Sequence, residues 1–306
     1  TYAGVCSYSS MRFLMSLACQ KGYILSQTDI TGAYLESYLE ETVYMEPPPD
    51  MFVDGKPPRD DQGRELVCLL KRGLYGLKQA GYAWAQVFKE FMLHDKEYNM
   101  GFKEMTGEPN LYRKVFVLNG KEEELILGQY VDDCLLASSS EEARQWFMER
   151  LEKRFPVNPK STGLVSFDTP GLVLSMHVRY DVEKGTLQLD QRNAIVALAE
   201  KTGITKSPPR SLPIVETTVL HKLEKAEVSQ TEYLSIVGSC LHICQVSRPD
   251  CAYAIGVLSR HSATPGKVHL EAAKDLVKYL YGTRDWYIEY TRSSTGNSPI
   301  IYEKGE

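Results

Sequence analysis

The feature that most constrains this chain is a pair of adjacent acids set between two apolar runs. Asp132 and Asp133 follow Tyr130-Val131 and stand between Leu125-Ile126-Leu127 and Cys134-Leu135-Leu136. Short apolar runs of this kind read as buried strands, so the acids fall in or beside a tight turn joining two core strands. Carboxylates at the edge of a core are unfavourable unless something neutralises them, and a divalent cation does so directly. An ordinary solvated turn also accepts Asp, and for the pair alone that simpler reading is preferred.

A third acid shifts the balance. Asp29 lies at the end of a segment that reads as a strand over residues 23–30, with Ile30, Ala33, Tyr34 and Leu35 as mostly apolar neighbours. Hard oxygen ligands from two separate strand ends can hold a pair of Mg²⁺ ions about 3.5–4 Å apart, an arrangement suited to phosphoryl or nucleotidyl transfer. Asp29 by itself equally suits a strand end or a helix cap.

The remaining pattern is mixed. Periodicity predicts helices over residues 10–21, 82–93, 140–155, 192–202 and 233–246, with Gly22 and Gly203 as terminators and Ser140 as an N-cap. Ser247, Pro249 and Asp250 read as a further helix start, with Ser247 capping, and Thr264-Pro265 as another, ended by Gly282. Strands are expected over 42–45, 66–70, 112–118, 124–130, 134–137 and 286–290. Asn119-Gly120 signals a hairpin. A second hairpin is expected over 172–189, turning at Glu183-Lys184-Gly185, while residues 46–65 and 207–213 read as loop and linker.

Bulk properties narrow the options without choosing among them. At 306 residues the chain is too long for one small core. A net charge of −5 lends no support to a basic nucleic-acid surface, though it leaves room for a local one. Seven cysteines at irregular spacing read as reduced thiols. Cys240, Cys244 and Cys251 with His242 admit a zinc reading, but Cys240 and Cys244 are one helical turn apart in an apolar pattern, which favours core packing. No stretch approaches the roughly 20 apolar residues of a membrane span. Opening on Thr1, the chain is expected to be a fragment or a processed piece.

Four ordered blocks resemble one family. QTDITGAYLESYLEETVYMEPPP (27–49) is similar to the first polymerase motif of copia-type retrotransposons, and KRGLYGLKQAGYAW (71–84) to their KxSLYGLKQ segment. YVDD (130–133) is the reverse-transcriptase signature, correctly spaced after them. YLSIVGSCLHICQVSRPDCAYAIGVLSRH (233–261) with AAKDLVKYLYGTRDW (272–286) resembles the segment joining the polymerase to RNase H. The opening TYAGVCSYSS is similar to the family's TFAPV stretch. That alignment leaves the basic finger segment that normally precedes the stretch, and the RNase H acids that follow, outside this chain.

The resemblance implies an α+β right-hand polymerase: an antiparallel palm sheet backed by helices, partial fingers, a small thumb and a mostly helical joining region. Its subdomains would run over 1–160 (fingers and palm), 161–213 (primer-grip hairpin and thumb start), 214–290 (thumb and joining region) and 291–306 (start of RNase H). It implies RNA-directed DNA polymerase activity by two-metal transfer of deoxynucleotides to a primer 3′-hydroxyl, with Mg²⁺ or Mn²⁺ held by Asp29, Asp132 and, less directly, Asp133, and by the carbonyl of Ile30. Tyr34 matches the gate that excludes a ribose 2′-hydroxyl, and Gln79 the glutamine bordering the incoming nucleotide. Lys71, Arg72, Lys78, Tyr130 and Leu172 match nucleic-acid contacts, although the family's Phe-Leu-Gly primer-grip pattern reads here as Gly171-Leu172-Val173. By pattern alone Tyr34 also suits a core aromatic, Gln79 a loop, and the three basic residues a solvated face.

Implied partners are a primed RNA or DNA template, deoxynucleoside triphosphates, and the RNase H and integrase parts of one polyprotein. The implied setting is a cytoplasmic virus-like particle with a nuclear stage, and no membrane. Three alternatives accompany this reading: a catalytically weak or co-opted remnant that binds nucleic acid, the weak form being expected if the basic finger segment lies outside the chain; a template-free nucleotidyl transferase or cyclase; and an interaction surface built from the C-terminal helices.

Overall fold

In the computed structural model, residues 3–52, 54–98, 100–215 and 220–293 are described. The chain divides into two compact units, one of residues 1–11 and 27–163, the other of residues 12–26 and 164–306. Helix α1 (Tyr8–Lys21) and strand β1 (Ile24–Asp29) both run across the division in sequence.

In the first unit, β2 (Tyr38–Met45) and β3 (Cys68–Arg72) form a two-stranded antiparallel ribbon. Helix α2 (Ala80–Leu93) follows. Strands β4 (Lys103–Glu104), β5 (Leu111–Leu118), β6 (Lys121–Tyr130) and β7 (Asp133–Ser138) form an antiparallel run, after which come helix α3 (Glu141–Arg154) and strand β8 (Gly163–Leu164). The sheet order is β4-β5-β6-β7-β1-β8, which seats the end of β1 beside β7. One core joins α2, α3 and this sheet through Trp84, Phe88, Phe91, Tyr112, Phe147 and Phe155.

Local chemistry explains these elements. Asn119 and Gly120 turn the β5–β6 hairpin with φ of 52° and 80°, the left-handed pair that a two-residue hairpin demands. The Ser140 hydroxyl accepts from the Ala143 N–H at 3.1 Å and so caps α3. Glu141 and Glu142 in its first turn and Lys153 and Arg154 in its last complement the helix dipole. The β2 strand begins four residues before the sequence pattern suggests, and β3 runs two residues later, to Arg72.

In the second unit, the Met15 and Ala18 face of α1 is buried, and Gly22 ends the helix at φ 68°. Strands β9 (Gly171–Val173), β10 (Met176–Asp181) and β11 (Thr186–Asp190) belong to an antiparallel sheet of order β12-β11-β10-β9, where β12 is Ile288–Thr291. The expected hairpin over 172–189 is therefore three strands. Leu174 and Ser175 make the extra turn with φ of 50° and 68°, positions where Gly or Asn is the usual signal, so the sequence carries no mark of it.

Helices α4 (Arg192–Lys201), α5 (Gln230–Val246), α6 (Ala252–Ser259) and α7 (Lys267–Gly282) enclose a second core. Cys240, Cys244 and Cys251 are buried in it, and burial pushes the Cys240 thiol up to about 12. The helix-start signals read from Ser247 and from Thr264-Pro265 both differ from expectation. Ser247 does not cap the next helix; it ends α5, and its hydroxyl donates to Oε1 of Gln191 at 3.0 Å. The segment opens instead with a 3₁₀ turn at Pro249–Cys251 before α6. Helix α7 starts at Lys267 rather than Pro265, with the Gly266 N–H donating to Nδ1 of His269 at 2.8 Å. No helix among the described residues is long and apolar enough to cross a membrane.

Candidate active site

The first unit brings Asp29, Asp132 and Asp133 to one edge of its sheet. Asp29 is the last residue of β1, and Asp133 the first of β7. Tyr130 pairs with Asp133 across the β6–β7 hairpin, leaving Val131 and Asp132 as the turn. The two strand ends are tied directly, the Ile30 N–H donating to the Asp132 carbonyl at 3.0 Å. The Ile30 side chain is buried in the core, so this backbone link is anchored.

The turn carries strain. Val131 has φ 57°, a conformation that a β-branched residue adopts only when its surroundings impose it. Two donors converge on its carbonyl: Nε1 of Trp84 at 2.7 Å and Nε2 of Gln129 at 2.9 Å. Both donors are buried, so these bonds hold the peptide that precedes Asp132.

Asp29 is oriented separately. Its Oδ2 accepts from Nδ2 of Asn158 at 3.0 Å, and its carbonyl accepts from the Asn158 N–H at 2.9 Å. Its own N–H lies 3.4 Å from the Thr162 hydroxyl. The loop after α3 thus grips the catalytic candidate from both backbone and side chain.

Electrostatically the cluster is uncompensated. Burial first, then the charges of Asp132 and Asp29, push the Asp133 carboxyl up to about 6. Among the described residues, no Lys or Arg forms an ion pair with any of the three acids. Nor do three Asp, Glu, His or Cys side chains converge closely enough to enclose an ion by themselves. Mg²⁺ is commonly held by one or two carboxylates, with substrate phosphates and water completing its shell. A set of hard oxygen donors with unbalanced negative charge fits that mode of binding.

Two aromatic residues flank the acids. Tyr34 sits in a 3₁₀ turn, Ala33–Glu36, that follows Asp29 through Gly32 at φ 65°. Its ring packs on Tyr75, with centroids 4.5 Å apart, and the Tyr75 hydroxyl lies 3.5 Å from Oδ2 of Asp132. Tyr34, Gly81, Trp84, Gln129 and Val131 also line a cavity of about 30 Å³.

The other expected site residues are more dispersed. Gln79 is half-buried at the start of α2, and its side chain makes no capping bond. Lys71 and Lys78 are exposed. Arg72 is engaged locally: it donates to the Leu35 carbonyl at 2.9 Å and the Tyr38 hydroxyl at 3.3 Å, and lies over the Tyr38 ring. Tyr130 is half-buried against the ring of Tyr8. Leu172 is exposed on β9 in the second unit.

Sequence reasoning missed Tyr75, Trp84, Gln129 and Asn158. Tyr75 and Trp84 lie within the KRGLYGLKQAGYAW block, and the glycines around Tyr75 were a usable sign of close backbone approach. Nothing in the local sequence marks Asn158, whose partner is 129 residues away.

Residues 1–216 match the family model of reverse transcriptase (RNA-dependent DNA polymerase). The chain is 31% identical over 289 residues to the retrovirus-related Pol polyprotein from transposon TNT 1-94 of Nicotiana tabacum, covering 92% of this chain and 20% of that protein. It is 28% identical over 296 residues to the corresponding polyprotein from transposon RE1 of Arabidopsis thaliana, covering 96% and 18%. A transposon Ty5-1 protein of Saccharomyces cerevisiae is 30% identical over 272 residues, 87% of this chain and 79% of its own length. The chain thus spans about a fifth of the two plant polyproteins and most of the yeast protein. With the YVDD turn, its paired strand-end aspartate and this coverage, the chain belongs to the reverse transcriptase family of copia-type retrotransposons.

Proposed function

We propose that this chain carries the nucleotidyl-transfer centre of an RNA-directed DNA polymerase, extending a primer 3′-hydroxyl with deoxynucleotides on an RNA or DNA template. The observation that carries the reading is the backbone link from Ile30 to Asp132, which sets Asp29 and the YVDD turn side by side. On this reading Asp29 and Asp132, with the Ile30 carbonyl, hold Mg²⁺, and Mn²⁺ substitutes for it. Bound there, the metal would make the 3′-hydroxyl a better nucleophile and stabilise the departing pyrophosphate.

The chain's own residues do the rest. Asp133 keeps the cluster negative. Tyr34 stands where a ribose 2′-hydroxyl would fall, Gln79 borders the nucleotide, and Lys71 and Lys78 are free to meet phosphates. Arg72 serves the β2–β3 ribbon first, given its bonds to Leu35 and Tyr38. The antiparallel sheet with α2 and α3 corresponds to a polymerase palm, and the β9–β10 turn with Leu172 to a primer grip. RNase H and integrase parts of the same polyprotein are its proposed neighbours.

Primer extension tests the reading. Mg²⁺-dependent, template-directed incorporation of deoxynucleotides is expected, and Asp132→Asn should abolish it. Incorporation that persists in the variant, or that ignores the template, would sink the proposal.

A further inference from the structure

The Tyr34 ring does not stand alone. Tyr75 packs against it at 4.5 Å between centroids, tilted by 44°. At its other end the Tyr75 hydroxyl reaches Oδ2 of Asp132 at 3.5 Å. The backbone beneath is equally close. The Gly73 N–H donates to the Ser37 carbonyl at 2.9 Å. A Cβ added to Gly73 would stand 2.6 Å from the Tyr34 carbonyl oxygen and 2.7 Å from the Ser37 hydroxyl. Only glycine lets this segment lie against the turn that carries Tyr34. Gly76, at φ 100°, bends the chain immediately after Tyr75. Tyr75 is nonetheless 54% exposed, so its contacts with Tyr34 and Asp132, rather than burial in a core, define its place.

We propose that Tyr75 is a specificity-determining residue of the nucleotide site: by backing the Tyr34 ring and meeting Asp132, it fixes where the gate stands. The inference rests on the polymerase reading above. An aromatic side chain chooses among staggered rotamers, and a second ring packed against it excludes those that would swing it aside. Removing Tyr75 leaves Tyr34 in place but free to yield to a 2′-hydroxyl. Discrimination between deoxyribose and ribose then falls, while Asp132 loses the Tyr75 hydroxyl but keeps the backbone bond from Ile30 that seats it.

The test is an equilibrium one. Mg·dATP and Mg·ATP are titrated calorimetrically into the chain, with wild type, Tyr75→Ala, Tyr75→Phe and Tyr34→Ala compared, and circular dichroism checks the fold. The preference for dATP should fall roughly three- to tenfold in Tyr75→Ala, the scale of one lost aromatic pair. Tyr75→Phe keeps the ring contact and should retain most of the preference. An unchanged ratio in Tyr75→Ala beside a lowered one in Tyr34→Ala overturns the role of Tyr75 and leaves the gate standing. No change in either variant, or no preference in wild type, overturns both. The polymerase reading is judged separately by Asp132→Asn in primer extension.

Discussion

The Nδ2 of Asn158 donates to Oδ2 of Asp29 at 3.0 Å, while the Asn158 N–H donates to the Asp29 carbonyl at 2.9 Å. One residue from the loop after α3 therefore sets both the backbone and the carboxylate of the strand-end acid. A hydrogen bond to a charged group contributes about 1.5–3 kcal/mol. Asn158→Ala should lower nucleotide incorporation by roughly ten- to a hundredfold, with a stability loss of about 1–2 kcal/mol because its side chain also accepts from the Lys160 N–H and donates to the Ser161 hydroxyl. Steady-state primer extension alongside a urea melt measures both. Wild-type activity in the variant would show that Asn158 does not orient Asp29.

Trp84 is 1% exposed, and its indole N–H holds the Val131 carbonyl at 2.7 Å. Trp84→Phe keeps an aromatic ring in the core but removes this donor, leaving Gln129 to restrain the strained turn alone. Stability should fall by about 1–2 kcal/mol, and incorporation should fall with it as Asp132 loses its fixed position. Equal urea midpoints for variant and wild type would argue against this anchoring.

Asp133 gives the fold a pH signature. Burial, then Asp132 and Asp29, raise its carboxyl from 3.8 to about 6, so the native state binds the proton more tightly than the unfolded chain. Stability must then fall as pH rises between about 4 and 6. In metal-free buffer at neutral pH, Asp133→Asn should be more stable than wild type by about 1 kcal/mol, after allowing for solvent screening. The difference should vanish below about pH 4 and shrink when Mg²⁺ is added. Urea melts across this range decide it, and a variant less stable than wild type at neutral pH contradicts the sign.

The second unit has an ion pair whose arginine is buried and whose aspartate reaches the surface. Arg248, 2% exposed, meets Asp250 through two nitrogens at 2.7 and 2.9 Å and also binds the carbonyl and hydroxyl of Thr283. Burial pushes the Asp250 carboxyl up, but bonds from Arg248 and Tyr279 outweigh it and hold the group below its ordinary value. Its stabilisation is present above the unfolded carboxylate pKa and is lost as pH falls through the depressed folded one. Arg248→Met should cost about 1–2 kcal/mol at pH 7, since solvent still reaches the Asp250 left behind, with the gap to wild type narrowing in acid. Calorimetric melting temperatures at both pH values would expose a pH-independent gap, which this account does not allow.

Much of the framework was legible in the sequence because it is encoded locally. Asn119-Gly120 demands left-handed backbone, Ser140 offers an oxygen to a helix start, and the apolar runs around Asp132 and Asp133 define two core strands. Charge between buried strands marked the acids only as candidates, and the resemblance of four ordered blocks to one family is what singled them out. The Leu174-Ser175 turn was not, because neither residue type favours the positive φ that the packed sheet imposes. Nor were the restraints on the acids. Asn158 meets Asp29 across 129 residues, Trp84 meets Val131 across 47, and Tyr75 meets Asp132 across 57. The sequence by itself determined which carboxylates exist and that they lie at strand ends or in the turn between strands. Only the tertiary structure decided which side chains orient them, because hydrogen bonds and ring contacts between distant segments leave no periodicity in the chain and arise only once the sheet and its helices have packed.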